Sequence, residues 1–327
     1  MKKQIVVTGG TGFVGGALAQ RLVAAGHDVR VLARPNADRS RLAKWPVSWF
    51  EGDLLKPQSL DGLLAGAEWV VHAAGMLGQA GVPEAAYHQI HAEGTRHLLT
   101  AVAQQAPQAR VLYVSSPGVL GPITGPPADE TAPLAPSNAY ERSKAAGENV
   151  AKTFASEGLD IVIVRPEFVY GPGDLHVLGL FQAVKRGMFF YINGGRSLCH
   201  PTYIADAVKG MAACLENGRS GQIYHVMGPT AVSFRELAET MADTMQVRKP
   251  WLSIPKPAAW AGAVALELLG TITGKTPPLS RSGVAFFSED RYFSWAKAQR
   301  ELGYVPDYSL KDGIAETVKW YEEQGLL

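Results

Sequence analysis

A tyrosine and a lysine stand four residues apart in the segment AYERSK, at Tyr140 and Lys144. Four residues is about one helical turn, so both side chains would lie on the same face of a helix. A phenol ordinarily has a pKa of about 10, too high for easy proton transfer near neutral pH, and a neighbouring ammonium would lower it. The spacing therefore predicts either a general acid–base pair or an idle surface pair, and the rest of the chain decides between them.

A glycine-rich turn near the start of the chain could cradle a phosphate. The segment TGGTGFVGG follows an apolar run, and Gly9, Gly12 and Gly15 are spaced GxxGxxG ahead of a helical pattern. Glycine permits a tight turn and a close approach of the ligand, and the free N–H groups of a helix N-terminus attract an anion. Because the motif lies between a predicted strand and a predicted helix, it predicts dinucleotide binding rather than a purely structural turn.

The choice of dinucleotide depends on the end of the second predicted strand, at Arg34. An acidic residue there would bind the ribose hydroxyls of NAD, whereas an arginine suits the 2′-phosphate of NADP. Arg39 and Arg41 could add charge in the same loop. We therefore favour NADP(H) and leave NAD(H) open. Asp53, after the third strand, is expected either to accept a hydrogen bond from the adenine or to cap its loop.

Short apolar strands alternate with helical stretches through the first two-thirds of the chain, which predicts a parallel α/β sheet with helices on both faces. We expect a cofactor-binding domain over residues 1–170, with a strand at 222–228 returning to it. Residues 171–327 are expected to form a smaller, mostly helical and discontinuous substrate lobe. The proline-rich segment 121–136 is predicted to be an ordered loop that could roof a site. The other expected strands are 5–7, 29–32, 47–50, 69–72, 110–116 and 160–166.

Composition restricts the partners and the location. The net charge is +1 without a Lys/Arg block, so nucleic-acid binding is not expected. Cys199 and Cys214 lack metal-ligand or disulfide spacing, and no metal site is predicted. The N-terminal apolar run is too short for a signal peptide, and the segment 257–274, interrupted by Glu267, is too short for a membrane span. We expect a cytoplasmic protein in which 257–274 is a buried or lid helix, with a monotopic membrane contact as the alternative.

In order and spacing, these motifs resemble those of the extended short-chain dehydrogenase/reductases, the NAD(P)-dependent epimerase/dehydratase-type family, over nearly the whole chain. The resemblance implies a Rossmann-type doubly wound sheet and favours the catalytic interpretation of Tyr140 and Lys144. The pattern RxxFSxxKAxxELGYxP at 291–306 is similar to the branch that contains 3β-hydroxysteroid dehydrogenases and dihydroflavonol-4-reductases. The other matching segments are TGGTGFVG at 8–15, GDL at 52–54, HAAG at 72–75, EGT at 93–95, YVSS at 113–116, YERSK at 140–144, RPEFVYGPG at 165–173 and TYIADAV at 202–208.

The resemblance also implies roles for individual residues. Tyr140 would be the general acid in carbonyl reduction and the base in alcohol oxidation, and Lys144 would bind the nicotinamide ribose and lower the pKa of the tyrosine. Ser116, five residues before Gly121, would hydrogen-bond the reacting oxygen. His91 stands where the family often has asparagine; we expect a packing substitution, with a proton relay as the alternative. The implied cofactor contacts are Thr8, Gly9, Gly12, Phe13, Val14, Gly15, Arg34, Asp53, Leu54, His72, Ala73, Ala74, Gly75, Tyr140, Lys144 and Pro166.

The substrate class follows from two departures. Nucleotide-sugar enzymes of the family typically carry asparagine where this chain has Phe168, and arginine near Cys199, although Arg196 could replace it. We therefore expect NADP(H)-dependent reduction of a ketone, or oxidation of a secondary alcohol, on a bulky and largely apolar steroid-, flavonoid- or ketoacid-like molecule. The alternatives are a nucleotide-sugar epimerase/dehydratase with tightly bound NAD and a redox-inactive NADP-sensing protein. The resemblance also suggests a homodimer. The expected substrate contacts are Ser116, Phe168, Val169, Tyr191 and His200.

Overall fold

The fold was obtained as a computed structural model, and the structure describes residues 1–79, 81–273 and 279–327. Its strands, in chain order, are β1 (Gln4–Thr8), β2 (Asp28–Ala33), β3 (Ser48–Glu51), β4 (Trp69–His72), β5 (Arg110–Val114), β6 (Ile161–Pro166), β7 (Val169–Tyr170), β8 (Tyr191–Ile192), β9 (Leu198–Cys199), β10 (Thr202–Tyr203), β11 (Ile223–Val226), β12 (Val232–Ser233) and β13 (Ser253–Ile254). Its α-helices are α1 (Phe13–Ala24), α2 (Glu84–His88), α3 (Gly94–Gln105), α4 (Ala139–Ser156), α5 (Leu178–Lys185), α6 (Ile204–Asn217), α7 (Phe234–Thr244), α8 (Lys256–Thr273), α9 (Arg281–Ser288), α10 (Ala296–Leu302) and α11 (Leu310–Glu323).

The long strands pair into one parallel sheet. Within the described ranges it has seven strands in the order β11–β6–β5–β4–β1–β2–β3. The order reverses between β1 and β4, and at such a switch point the carboxyl ends of the strands open a crevice. The doubly wound α/β sheet expected from the sequence is thereby confirmed.

Both faces of the sheet are buried, because alternate strand residues point to opposite sides. On one face, Val7 packs in a core with Leu18 of α1 and Met211 of α6. On the other, Val6 packs in a separate core with Leu98 of α3. Apolar runs without polar alternation in these strands are therefore explained by helices that cover both sides.

The C-terminal part adds short strand pairs and helices beside the carboxyl edge of the sheet. β11 returns to pair with β6, whereas β7 pairs with β10, β8 with β13, and β9 with β12. The segment 257–274 forms α8 as far as Thr273, and its residue 274 lies outside the described residues. Among the helices that the structure describes, none combines the length and apolarity needed to cross a membrane.

The proline-rich segment 121–136 contains no helix and packs against the chain near residue 293. The N–H of Ile123 donates to the carbonyl of Asp290 at 2.8 Å, and Ala128 forms an isolated bridge with Phe293. Buried apolar residues beneath the loop, including Leu120, join it to this partner segment. The loop is thus held next to the N-terminus of α4.

Candidate active site

The site is built around the first turns of α4. Asn138 caps the helix, accepting the N–H of Glu141 at 2.9 Å, and the carboxylate of Glu141 accepts the N–H of Ser137 at 2.7 Å. Such reciprocal capping satisfies N–H groups that otherwise have no partner at a helix start. It fixes Tyr140 in the first turn, with Lys144 one turn further along.

Tyr140 is half-buried and held by aromatic contacts. Its ring meets the rings of Tyr87 and His91 edge-on, with centroids 6.1 and 5.7 Å away. Burial raises the pKa of Tyr140 above its ordinary value, and the charges of Glu167 and Glu141 raise it further. This is the opposite of the lowering predicted from Lys144, whose Nζ donates to the carbonyl of Val114 and is not among the charges that shift the pKa of Tyr140. The phenol therefore holds its proton at neutral pH.

Lys144 turns toward the sheet. Its Nζ donates to the carbonyl of Val114 at 2.8 Å and lies 5.3 Å from the ring centroid of Tyr113. Burial lowers the pKa of Lys144 to about 8, against a raising influence of Glu148. An ammonium has three N–H donors. Two of them are left for a ligand such as the ribose hydroxyls of a dinucleotide.

The two serines directly after β5 have different environments. Ser115 is buried, and its hydroxyl donates to Glu148 at 2.7 Å. Ser116 is half-buried at the carboxyl edge, where its Oγ accepts the N–H of Gly118 at 3.1 Å. Ser116 keeps its own O–H as a donor, so this geometry supports the assignment of Ser116 rather than Ser115.

The glycine turn after β1 has the close packing that a phosphate cradle needs. Gly9 has φ +76°, and a Cβ there would lie 2.5 Å from backbone atoms of Ala73 and Ala74. A Cβ on Gly15 would lie 2.4 Å from the carbonyl oxygen of Gly9. No side chain caps α1 after Gly12, so the N–H groups of its first turn are available to an anion. The turn thus fits the diphosphate of a dinucleotide.

Three arginines near β2 differ in the contacts that their side chains make. Arg34 is exposed just after β2, and its side chain has no hydrogen bond or ion pair within the described part of the chain. Arg39 lies 3.7 Å from Glu51. Arg41 donates to the carbonyl of Gly173 at 2.8 Å. Of the three, Arg34 is therefore the one that a 2′-phosphate could engage without breaking a contact.

Other predicted cofactor residues have side chains that serve the fold. Thr8 and His72 are buried, and Oγ1 lies 2.7 Å from Nδ1; burial lowers the pKa of His72 to about 3, with the charge of Lys144 also lowering it. Asp53 accepts the N–H of Leu55 at 3.0 Å, so it does cap its loop, and Leu54 is buried in the core. Ala73, Ala74 and Gly75 follow β4 at the carboxyl edge, and Pro166 ends β6 in the same region.

His91 lies in a π-helical stretch, Gln89–Glu93, and holds the site together. Its Nε2 accepts the N–H of Met76 at 2.9 Å, and its Nδ1 lies 2.8 Å from Oγ of Ser143, which donates to the carbonyl of Tyr140 at 2.6 Å. Burial lowers the pKa of His91 to about 3, and the charge of Lys144 contributes to this lowering. Because both ring nitrogens are engaged, this geometry supports packing rather than a proton relay.

The residues expected to bind substrate separate into two groups. Phe168 and Val169 follow β6 near Ser116, and the ring of Phe168 meets that of Phe286 at 5.5 Å. Tyr191 is buried in the lobe's core, with its hydroxyl lacking a partner. His200 is also buried, with Nε2 3.0 Å from the carbonyl of Gly228 and Nδ1 accepting the N–H of Phe293. Both side chains are buried, and the contacts that the described residues show for them are with the C-terminal part and not with Tyr140.

Sequence reasoning missed three charged residues beside the tyrosine. Arg291 is buried, and its Nη1 lies 2.6 Å from Oε1 of Glu141. Glu167 is buried between β6 and β7. The signal for Glu167 was present in the sequence, because an ionisable residue directly after a buried strand lies at the edge where parallel sheets bind ligands. In the ranges that the structure describes, no group of His, Cys, Asp and Glu could hold a metal ion.

The sheet, the glycine turn and the Ser116–Tyr140–Lys144 set define an NAD(P)-binding oxidoreductase with a doubly wound sheet. The model of the NAD dependent epimerase/dehydratase family matches residues 5–227, and the chain belongs to this family, the extended short-chain dehydrogenase/reductases. A 4-hydroxy-2-methyl-3-oxo-4-farnesyl-3,4-dihydroquinoline-1-oxide ketoreductase of Stigmatella aurantiaca is 30% identical, with 94% of this chain and 93% of the relative covered.

Two further comparisons bear on the branch and on the fold. A decarboxylating sterol-4-alpha-carboxylate 3-dehydrogenase of Candida albicans is 27% identical, with 98% of this chain and 98% of the relative covered. It agrees with the branch expected from the sequence. The crystal structure of DesIV, a dTDP-glucose 4,6-dehydratase of Streptomyces venezuelae with NAD and TYD bound, superposes with a TM-score of 0.80 at 27% identity and covers 98% of this chain and 97% of that chain.

Proposed function

We propose that the chain is an NADP(H)-dependent oxidoreductase that reduces a ketone, or oxidises a secondary alcohol, on a bulky and largely apolar substrate. The observation that carries this proposal is that Arg291, the buried cation near the first turn of α4, already forms an ion pair. Arg291 is already paired with Glu141, and Phe168 and Phe286 give the neighbouring surface apolar walls. A diphosphate would need several free charge-assisted donors, whereas Arg291, whose Nη1 pairs with Glu141, keeps only its Nε–H without a partner among the described residues.

The residues divide the chemistry as follows. When bound, the nicotinamide supplies the hydride in reduction and accepts it in oxidation. The phenol of Tyr140, protonated at neutral pH, donates its proton to the carbonyl oxygen, and the hydroxyl of Ser116 hydrogen-bonds the same oxygen. Lys144 holds the ribose with its two remaining N–H donors.

The proposal also assigns the two parts of the chain. Residues 1–170, with the strand returning at β11, hold the cofactor, and residues 171–327 supply most of the substrate pocket. Arg34 gives the preference for NADP(H), because an exposed and uncommitted guanidinium can bind a phosphate bidentately.

A nucleotide-sugar epimerase/dehydratase is the second candidate, and one observation favours it. Arg196 is exposed and lines an open cleft of about 730 Å³ together with Asn193, Ser197 and Ser253. This cleft could receive a sugar nucleotide, as the likeness to DesIV suggests. In that case the dinucleotide would stay bound and return to its starting oxidation state in each turnover.

A Tyr140→Phe variant tests the catalytic assignment. We expect turnover of an apolar ketone to fall by about 100- to 10,000-fold, because general acid catalysis contributes that much, while NADPH binding is retained. Tyr87→Phe is the matched control, since it removes a hydroxyl from a ring that packs on Tyr140 and bonds only to the backbone of Gln79. Turnover that survives in Tyr140→Phe would show that another group donates the proton.

A further inference from the structure

Glu167 lies at the carboxyl edge of the sheet, directly after β6, and its charge reaches Tyr140. β5 and β6 are paired as far as Val114 and Val164, and the N–H of Ser115 donates to Val164 at 2.8 Å. Continued by two residues, this register places Ser116 opposite Pro166, the residue before Glu167, so Ser116 and Glu167 leave the sheet at the same edge. The following residue, Phe168, has φ +37°, a backbone conformation that an aromatic residue rarely adopts. Strained backbone of this kind concentrates at functional sites.

The side chain of Glu167 is mostly buried, and its carboxyl has no partner among the residues that the structure describes. The residue is 7% exposed, and its side chain makes no hydrogen bond or ion pair with any residue that the structure describes. Arg291, itself 6% exposed, pairs through Nη1 with Glu141 rather than with Glu167, and its buried Nε has no hydrogen-bond partner among the described residues. The carboxyl oxygens are not among the fully buried atoms that lack a partner, so they remain accessible and can accept a hydrogen bond from a ligand.

The charges that face this carboxyl decide what kind of ligand it can take. Burial raises the pKa of Glu167 to about 7; Arg291 lowers it and Glu141 raises it. Tyr140 and Cys199 also lie within its electrostatic range, because Glu167 raises the pKa of both. Arg291 has the larger influence of the two and Glu141 opposes it, so an anionic substrate group would gain little from Arg291 and would meet the carboxylate of Glu167 itself. An ammonium would be held next to the Arg291 guanidinium.

We propose that Glu167 is a substrate-binding residue that hydrogen-bonds an uncharged donor group, a hydroxyl or an amide N–H, carried by the substrate close to the carbonyl that Tyr140 protonates. The proposal rests on the reductase function proposed above and narrows its substrate class to neutral ketones with an adjacent polar donor. A hydroxyl suits the site in either protonation state, since it donates to the carboxylate and accepts from the neutral acid. Glu167 thereby selects the substrate, while Tyr140 transfers the proton.

A pair of ketones that differ by one hydroxyl tests this. Deoxybenzoin and benzoin are both bulky, neutral and aromatic, and benzoin carries a hydroxyl on the carbon next to its carbonyl. We expect the wild-type chain with NADPH to prefer benzoin by about 10- to 100-fold in kcat/KM, the range of a hydrogen bond to a charged group. In Glu167→Met this ratio should fall towards one, and in Glu167→Gln, whose amide still bonds a hydroxyl, part of it should remain.

The ratio of kcat/KM for the two ketones distinguishes a role of Glu167 in substrate recognition from a general loss of activity. A merely structural role for Glu167 would lower both rates and leave the ratio unchanged, which would overturn the proposal, as would a wild-type ratio near one. Glu130→Gln is the control, because Glu130 is a half-buried carboxylate that already accepts the N–H of His225, and this variant should keep the wild-type ratio. Glu167→Leu replaces Glu167→Met if the latter does not fold.

Binding distinguishes failure of this proposal from failure of the reductase function. The two ketones are titrated calorimetrically into NADPH-saturated protein. Tighter binding of benzoin that is lost in Glu167→Met, without turnover of either ketone, would leave the Glu167 assignment standing and refute the reductase. Reduction or binding of both ketones without preference would refute the Glu167 assignment.

Discussion

Two buried glutamates near the proposed catalytic residues have opposite environments. Glu148 of α4 receives two hydrogen bonds from Arg165, at 2.9 and 2.6 Å, one from Ser115, and an ion pair from Lys152 at 2.8 Å. Burial opposes its ionisation, but these partners lower its pKa to about 2. Glu167 is almost as buried and has no such partner, and burial raises its pKa to about 7.

The contrast shows that burial alone does not mark a carboxylate as structural or functional. A buried charge with saturated hydrogen bonds belongs to the fold, and removing one partner leaves the other unpaired. A buried carboxyl with open hydrogen-bonding capacity destabilises the free protein and gains a partner when a ligand binds. The number of hydrogen-bond partners, rather than the extent of burial, therefore distinguishes Glu148 from Glu167.

The largest expected effect is a difference in the free energy of unfolding between variants that lack one or the other glutamate. Glu148→Ala should lower the free energy of unfolding by about 3–5 kcal/mol, because it strands Arg165 in the core. Glu167→Ala should lower it by far less, since no protein partner is lost. Urea denaturation of both variants measures the difference, and equal losses would refute the contrast.

The pH dependence of stability should have opposite signs at the two sites. Glu148 has a folded pKa of about 2 against an ordinary 4.5, so its stabilisation is full above pH 4.5 and is lost as the pH falls towards 2. Glu167 has a folded pKa of about 7, so its contribution is full below pH 4.5 and is lost as the pH rises through 7. Each shift corresponds to about 3 kcal/mol.

These slopes can be measured as differences between the wild type and two variants in urea at several pH values. Glu148→Gln should remove the acid-side loss, and Glu167→Gln should remove the loss between pH 4.5 and 7. A Glu167→Gln curve parallel to that of the wild type would show that this carboxyl ionises normally.

The neighbouring serines sharpen the comparison in activity. Ser116→Ala should lower kcat by about 100-fold, because it removes a donor to the reacting oxygen. Ser115→Ala should leave kcat within a few-fold and lower stability instead, since Ser115 bonds Glu148. Steady-state kinetics and thermal unfolding of both variants test this, and the reverse pattern would exchange the two assignments.

The smallest expected effect is on nucleotide binding, where Arg34, which has no described partner, is compared with Arg41, which is hydrogen-bonded to the protein. Arg34→Ala should weaken NADPH binding by about 10-fold with little change for NADH, because one charge-assisted contact is lost. Arg41→Ala should instead disturb the turn at Gly173 and affect both nucleotides alike. Fluorescence titration distinguishes these results, and an Arg34→Ala variant with unchanged selectivity would remove the basis for NADP(H).

The strands and the glycine turn of the first half could be predicted from the sequence, whereas the side-chain positions in the C-terminal part could not, for physical reasons. Strands such as β1 and β6 are apolar runs buried on both faces, and the glycine turn must follow β1 to pack on Ala73, so local pattern and tertiary position agree. Tyr191 and His200 lie in or beside two-residue strands, too short for a pattern to tell which way a side chain points. The orientation of Glu167 depends on one unusual φ at Phe168, and its lack of partners depends on residues more than 100 positions away.

The most direct test of the reductase account follows the fate of the hydride. Purified protein is given NADPH carrying deuterium at the transferring position and a neutral ketone such as benzoin, and separately a nucleotide-sugar with NAD. We expect one deuterium on the alcohol for each NADPH oxidised, in the wild type and not in Tyr140→Phe. Conversion of the nucleotide-sugar with no net change in the dinucleotide, and no label in any alcohol, would contradict the account.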